Sequence, residues 1–207
     1  MPTMIPTWRR KRPTKPHNTT TGVSVKVLHS FYRSSQSSGE NQAVVTQASL
    51  LAEAGFDVEL VFLSSDDLAS RLSAKLITTV GMTLGNPIVC PPVDWLTSMD
   101  VLHIHNTFPS ISHKWLRNLD VPKVMTVHNY RAFCANGLFL RDGKRCLDWT
   151  SSNSTRAVLH GCYRGSHLQS LPIAVQQLSS YSLTEVMRRC HQVLLPGRPM
   201  LETFRAL

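Results

Sequence analysis

The sequence predicts an α/β fold, a Rossmann-like, doubly wound parallel sheet, and three observations carry that prediction. Short apolar, β-branched runs recur at residues 25–29, 57–63, 100–105, 123–128 and 191–195. Stretches of helical spacing separate them, several opened by helix-start residues. The 207 residues are 42% apolar and 17% charged, with a mean hydropathy of −0.10, which suits one good-sized globular domain. Strands alternating with helices build βαβ units, and right-handed crossovers then leave a parallel sheet covered on both faces. The same composition excludes an intrinsically disordered chain, a collagen and a polytopic membrane protein. No run approaches the ~20 apolar residues of a membrane span.

Composition divides the chain into residues 1–22 and 23–207. The first part holds Arg9, Arg10, Lys11, Arg12 and Lys15 with four Pro and no acid, and so carries five of the nine net positive charges. With few apolar groups to offset its ordering entropy it reads as a disordered arm. A secretory signal would place an apolar stretch after the basic cluster, but Pro13, Thr14, Lys15 and Pro16 follow instead. The cluster suits an anionic membrane surface or a nucleic acid, and a plain solvated tail is the other reading. Aromatic interleaving of the kind that binds single strands is missing, so no specific nucleic acid is expected.

From Val25 the elements follow in order. After the strand at 25–29 and a polar, serine-rich loop, a helix is expected over 40–54, with Val44, Ala48 and Leu51 on one stripe. Glu40 suits its positive N-terminal end and Gly55 its C-terminal cap. The strand at 57–63 leads into Ser64, Ser65, Asp66 and Asp67, caps for a helix reaching about residue 76. A short strand at 88–90, a stronger one at 100–105, a helix at 110–118 and a strand at 123–128 come next. Residues 129–165 read as a long irregular insertion, with Asn136-Gly137 and Asp142-Gly143 as turn signals. A helix of several turns is expected through much of 168–189, with Pro172 near its first turn. A strand at 191–195 and a helix from Arg198 close the chain.

Parallel sheets bind ligands outside the carboxyl ends of their strands, which selects the loops after His29, His105 and His128. In the first, Ser37-Ser38-Gly39-Glu40 offers free N–H groups and a helix dipole to an anion; an ordinary helix start fits equally. It is neither a dinucleotide fingerprint nor a Walker loop. His103 and His105 leave the same face of one strand, and His128 closes the next. Three imidazoles at neighbouring strand ends could bind zinc or supply a base. No carboxylate or thiolate partner stands near them in sequence, and no metal is expected. His103 lies deeper and fits a satisfied core histidine, whereas His105, followed by Asn106, is the better functional candidate. Asn129, Tyr130 and Arg131 add polar and aromatic groups at the same edge. Arg164, in Tyr163-Arg164-Gly165-Ser166, fits either an anionic group or solvent. Of five scattered cysteines, Cys134, Cys146 and Cys162 fall in the insertion without a CxxC pair, and a zinc site there would need His160 or another histidine as fourth ligand. An odd, scattered set is no disulfide scaffold, and a reducing, cytoplasmic setting is expected.

These motifs resemble glycosyltransferase family 4, the group-1 retaining glycosyltransferases. VKVLHSFYRSSQSSGENQAVVTQASLLAEAGFDVELV is similar to that family's opening strand, glycine-bearing loop, helix and second strand. DVLHIHNTFPSIS resembles its Asp-Val-x-His-x-His strand and following loop, and PKVMTVHNYRAFCANGLFLRDGKRC with GCYRGSHLQSL resembles a subgroup with this insertion. The resemblance implies the N-terminal, mainly acceptor-side half of a two-domain GT-B enzyme; the basic cluster Arg9–Lys15 adds the expectation of a cytoplasmic chain peripheral at the inner face of the membrane. Such an enzyme transfers a sugar from a nucleotide-sugar to a sugar or lipid-linked hydroxyl acceptor in cell-surface glycan synthesis, without cofactor or metal. It implies that Gly39 and Glu40 approach the donor phosphates and that His105 is the catalytic histidine beside the transferred sugar. His128 matches the strand-end histidine of the next loop, and Asn106, Asn129 and Arg131 would line the acceptor side; His103 and Arg164, chosen from the residues themselves, complete the set of substrate-binding candidates. The subgroup has a Cys pair where this chain has Cys146 and Trp149. The donor-binding C-terminal half is absent from the 207 residues, so the chain alone is expected to be inactive or weakly active. A non-catalytic, stand-alone ligand- or partner-binding domain is the alternative.

Overall fold

The computed structural model describes residues 9–13, 21–31, 38–64, 79–81, 84, 90–91, 98–109, 111–148 and 155–207. Within them the chain forms a mixed α/β domain around a six-stranded, mostly parallel sheet flanked by helices, an arrangement compatible with a Rossmann-like fold. The central strands are β2 (Ser24–Phe31), β3 (Asp57–Ser64), β4 (Val101–Ile104), β5 (Lys123–Thr126) and β8 (Gln192–Leu194). With β1 (Arg9–Lys11) they lie in the order β1-β3-β2-β4-β5-β8. Register is set by apolar pairs: Val25 lies opposite Val58, Leu28 opposite Ile104, Ile104 opposite Met125, and Met125 opposite Val193.

Alternation along each strand feeds two cores. On one face Val25, Val27, Val58 and Leu60 meet Val44, Ala48 and Ala52 of α1 (Gly39–Glu53). On the other, Leu28, Val61, Leu102, Ile104 and Met125 meet Leu116 of α2 (His113–Asn118) and Val186 of α5 (Leu183–Arg188). Burial on both faces is why these strands read as near-continuous apolar runs. Helix α1 begins where Ser38 accepts a hydrogen bond from the Asn41 N–H and ends before Gly55, at a φ of 91°. The helix expected after Asp67 and the strand expected at 88–90 fall on residues that, Cys90 apart, lie outside the described ones. The same holds for the loop at 32–37 and for residues 1–8 and 14–20 of the arm.

Three expectations need correction. The arm is not wholly disordered, because Arg9–Lys11 pairs antiparallel with β3. The free edge of β3 supplies unpaired backbone groups, and its acids draw in the arm: Arg12 lies 2.7 Å from Asp57 and Arg10 3.8 Å from Glu59. Glu59 is itself buried against Lys26 at 2.6 Å. Second, the helix expected through 168–189 is two helices, α4 (His167–Leu178) and α5. Between them the Ser179 hydroxyl bonds the Gln176 carbonyl and accepts from the Tyr181 N–H, so serine side chains compete with the helical ladder. Ser166 caps α4, which places Pro172 buried in the second turn rather than near the first. Third, the insertion at 129–165 is not wholly irregular. It contains a hairpin, β6 (Leu140–Arg141) with β7 (Lys144–Arg145), and the short helix α3 (Thr155–Leu159). Asp142 and Gly143 both take positive φ there, as a tight hairpin turn demands. The chain ends on α6 (Arg198–Arg205).

Candidate functional site

Strands β2, β4 and β5 run parallel, so their carboxyl ends open on one edge, and the predicted residues gather there. The Ser30 N–H donates to the Asn106 carbonyl (2.8 Å) and the His105 N–H to the Leu28 carbonyl (3.0 Å), tying the end of β4 to that of β2. His29 then links β2, β4 and α1. Its Nδ1 accepts from the Asn106 N–H (3.4 Å), which leaves Nε2–H to donate to Asn41 Oδ1 (3.1 Å). Asn106 closes its own turn through a bond from the Phe108 N–H to its Oδ1.

Glu40, in the first turn of α1, connects this group to the third loop. Burial pushes its carboxyl above the usual range, opposed by the charge of Arg131 and a hydrogen bond from Asn106. Its Oε1 is buried without a partner among the described residues. Among the contacts that hold Arg131, Nη1 donates to the Ala135 carbonyl (2.9 Å), its own N–H donates to Asn129 Oδ1 (3.0 Å), and its guanidinium carbon lies 4.1 Å from the Phe108 ring centre. Gly137 makes room for it, with a φ of 78° and an added Cβ only 3.4 Å from the guanidinium. Glu40, Asn106 and Arg131 therefore converge at the edge where Gly39 starts α1, and Asn129 braces Arg131. Arg164 stands one ring away. It is exposed and lies 5.3 Å from the Tyr163 ring, which Arg131 approaches at 5.8 Å.

The imidazoles form a row, buried at His29, His103 and His105 and half-buried at His128. His103 sits 4.4 Å from His105 between ring centres, His105 is 5.1 Å from His128, and His29 approaches His105 edge-on at 6.1 Å. His103 Nε2 bonds Thr126 Oγ1 (2.9 Å), as a satisfied core histidine should. His105 Nδ1 and His128 Nε2 are 2.8 Å apart. Desolvation holds His29 and His103 at pKa values of about 4 and His105 at about 2, and lowers that of His128 as well. At neutral pH the row is uncharged. It can orient and hydrogen-bond a ligand, but His105 is too weak a base there to carry a proton from solution.

Several residues at this edge were not singled out by the sequence. His29 was seen only as a strand end, and Asn41 only as part of a helix. Their bond joins residues twelve apart across a βα connection, and the available signal was a polar residue in the first turn of a helix beside a strand-end histidine. His113 was likewise missed. It is buried, with Nε2 at Thr107 Oγ1 and Nδ1 at the Tyr181 carbonyl, both 2.8 Å away.

The insertion's thiols come together at a cavity of their own. Cys134, Cys146 and Cys162 line one cavity of about 20 Å³ with His160, Arg141 and Asp148. The Cys134 thiol donates to Asn136 Oδ1, and burial raises the pKa of the Cys162 thiol. Among the described residues, no group of three or more His, Cys, Asp or Glu side chains is placed to hold a metal ion. No described helix is long and apolar enough to cross a membrane. Comparisons with protein-family models, with curated proteins and with solved structures return no match to this chain.

Proposed function

We propose that this domain is the acceptor-side half of a retaining GT-B glycosyltransferase, moving a sugar from a nucleotide-sugar onto a hydroxyl acceptor in cell-surface glycan synthesis. The observation that carries the reading is the meeting of the α1 start, the His105-Asn106 loop and Arg131 at one sheet edge. In the reaction the bond from the anomeric carbon to the diphosphate oxygen breaks. A bond to the acceptor oxygen forms on the same face, and the acceptor hydroxyl's proton passes to the departing diphosphate oxygen. Positive charge develops on the sugar and negative charge on the departing diphosphate, so fixed dipoles and cations are what catalysis needs. Helix α1 presents its N-terminal N–H groups and Arg131 a guanidinium, both suited to the diphosphate. His105, neutral and packed between His103 and His128, serves as a hydrogen-bonding contact to the transferring sugar rather than as a base. Gly39 leaves the helix start without a side chain, and no described residue lies within 4 Å of where a Cβ would stand. The donor-binding side of such a cleft comes from a second domain.

Calorimetric titration with uridine-, guanosine- and thymidine-diphosphate hexoses, alone and with a donor-binding domain supplied in trans, tests the reading. Binding weakened by Arg131→Ala supports it. No binding of any nucleotide-sugar or acceptor under either condition refutes it. Binding without transfer, in the presence of the second domain, favours the stand-alone binding domain instead. We also propose peripheral association with an anionic membrane face through the basic arm, although Arg10 and Arg12 pair with Glu59 and Asp57 and so contribute less of its charge. Cosedimentation with phosphatidylglycerol vesicles but not phosphatidylcholine vesicles is expected, and equal behaviour with both refutes it.

A further inference from the structure

A hydrogen bond between two imidazoles needs one N–H and one lone pair, so the tautomer of either ring fixes that of the other. His105 Nδ1 and His128 Nε2 form such a bond at 2.8 Å, with the rings within 18° of parallel. The remaining nitrogens differ sharply. His105 belongs to a residue only 5% exposed, and its Nε2 has no partner among the described residues. His128 is half-buried, so solvent has better access to its ring than to that of His105. The other groups acting on the pair are His29 of β2 and His103 of β4. Both are committed elsewhere, His29 to Asn41 and Asn106 and His103 to Thr126.

Two neutral arrangements exist. In one, His105 Nδ1–H donates to His128, and His105 Nε2 is a bare lone pair. In the other, His128 Nε2–H donates, and His105 Nε2 carries a buried hydrogen with no partner among the described residues. On the buried backbone, orphaned N–H groups are rarer than under-satisfied acceptors, and the same preference carried over to the ring nitrogen selects the first. Protonating His128 removes the choice. Both its nitrogens then donate, His105 Nδ1 must accept, and the hydrogen of His105 moves to Nε2.

We propose that His128 is a positioning residue that sets the tautomer of His105. In its neutral form it leaves His105 Nε2 as an acceptor for a ligand hydroxyl hydrogen, and in its protonated form it converts that nitrogen to a donor. The ligand part of this inference rests on the glycosyl-transfer reading. The tautomer coupling does not, and it is read in the ligand-free chain.

The test is nitrogen-15 NMR of the histidine rings across pH, which separates lone-pair from N–H nitrogens. In the unaltered chain His105 Nε2 should show the lone-pair resonance above neutral pH and pass to the N–H resonance at the same midpoint at which His128 titrates. His128→Gln, whose carbonyl can accept from His105 Nδ1–H, should keep the lone-pair resonance and lose the acid-side step. His128→Phe should lose both the step and the pure lone-pair signal. An N–H resonance at His105 Nε2 above neutral pH overturns the proposal. A His105 step displaced from the His128 midpoint, or one retained in His128→Gln, does the same. The midpoint comparison uses only the unaltered chain, so a variant that fails to fold leaves the test intact. Loss of nucleotide-sugar binding with these resonances as expected would sink the functional reading alone.

Discussion

Lowering the pH should destabilise the domain through His113 by a magnitude that can be worked out in advance. The ring is buried, its Nδ1–H donates to the Tyr181 carbonyl and its Nε2 accepts from the Thr107 hydroxyl. Burial holds its pKa at about 4, against 6.5 for an unperturbed histidine. Between those values the unfolded chain takes up a proton and the native state does not. The stabilisation is therefore complete above 6.5, falls as the pH drops through the window, and levels off below about 4. At about pH 5 the unfolded ring lies about 1.5 pH units below its midpoint, which corresponds to a loss of about 2 kcal/mol at roughly 1.4 kcal/mol per unit. Against a typical domain stability of about 5–15 kcal/mol, that is readily measured. Urea unfolding followed by circular dichroism at about pH 7.5 and about pH 5, on the unaltered chain and on His113→Gln, isolates the contribution. The variant should be weaker at the higher pH by about 1–3 kcal/mol, since buried partners lose bonds, yet its loss on acidification should be smaller by about 2 kcal/mol. Equal losses on acidification in the two proteins would refute the reasoning.

Three further outcomes follow from packing and backbone geometry. Val44→Ala, at a fully buried position of α1, should lower unfolding stability by about 2 kcal/mol in urea titrations, and a loss below about 0.5 kcal/mol would contradict the α1 packing described. Gly137→Ala combines a φ of 78° with a Cβ 3.4 Å from the guanidinium of Arg131, so it should cost about 1 kcal/mol or more and weaken nucleotide-sugar binding by calorimetry; unchanged stability and binding would count against it. Arg12→Ala removes an exposed ion pair with Asp57 and should change stability by less than about 1 kcal/mol, a larger loss showing that β1 depends on that pair.

The strands were the most legible part of this chain, because burial on both faces turns residues such as Val25, Val27 and Leu28 into an unbroken apolar run. Their ends were less so. Asp100–His105 shortens to Val101–Ile104 because ladder pairing, not residue type, sets where a strand stops. The break between α4 and α5 was hidden because Ser179 tolerates a helix, and only its bonds to Gln176 and Tyr181 turn the chain. Pairing of Arg9–Lys11 was out of reach because it depends on the open edge of β3 and on Asp57 and Glu59, more than forty residues away. The site divides in the same way. The rule for parallel sheets pointed to the loops after His29, His105 and His128, and Glu40, Asn106 and Arg131 do meet. The His29–Asn41 bond and the pairing of His105 with His128 are tertiary facts, and residue type alone does not announce them.

The central claim is that the start of α1, the loop after His105 and Arg131 form one ligand-binding rim. Backbone amide chemical-shift mapping during titration with a nucleoside-diphosphate hexose tests it most directly. The account predicts that the perturbed amides cluster at Gly39, Glu40, Asn106, His128 and Arg131. Perturbations confined to the thiol-lined insertion or to the β1 edge, or no perturbation with any nucleotide-sugar offered, would contradict it.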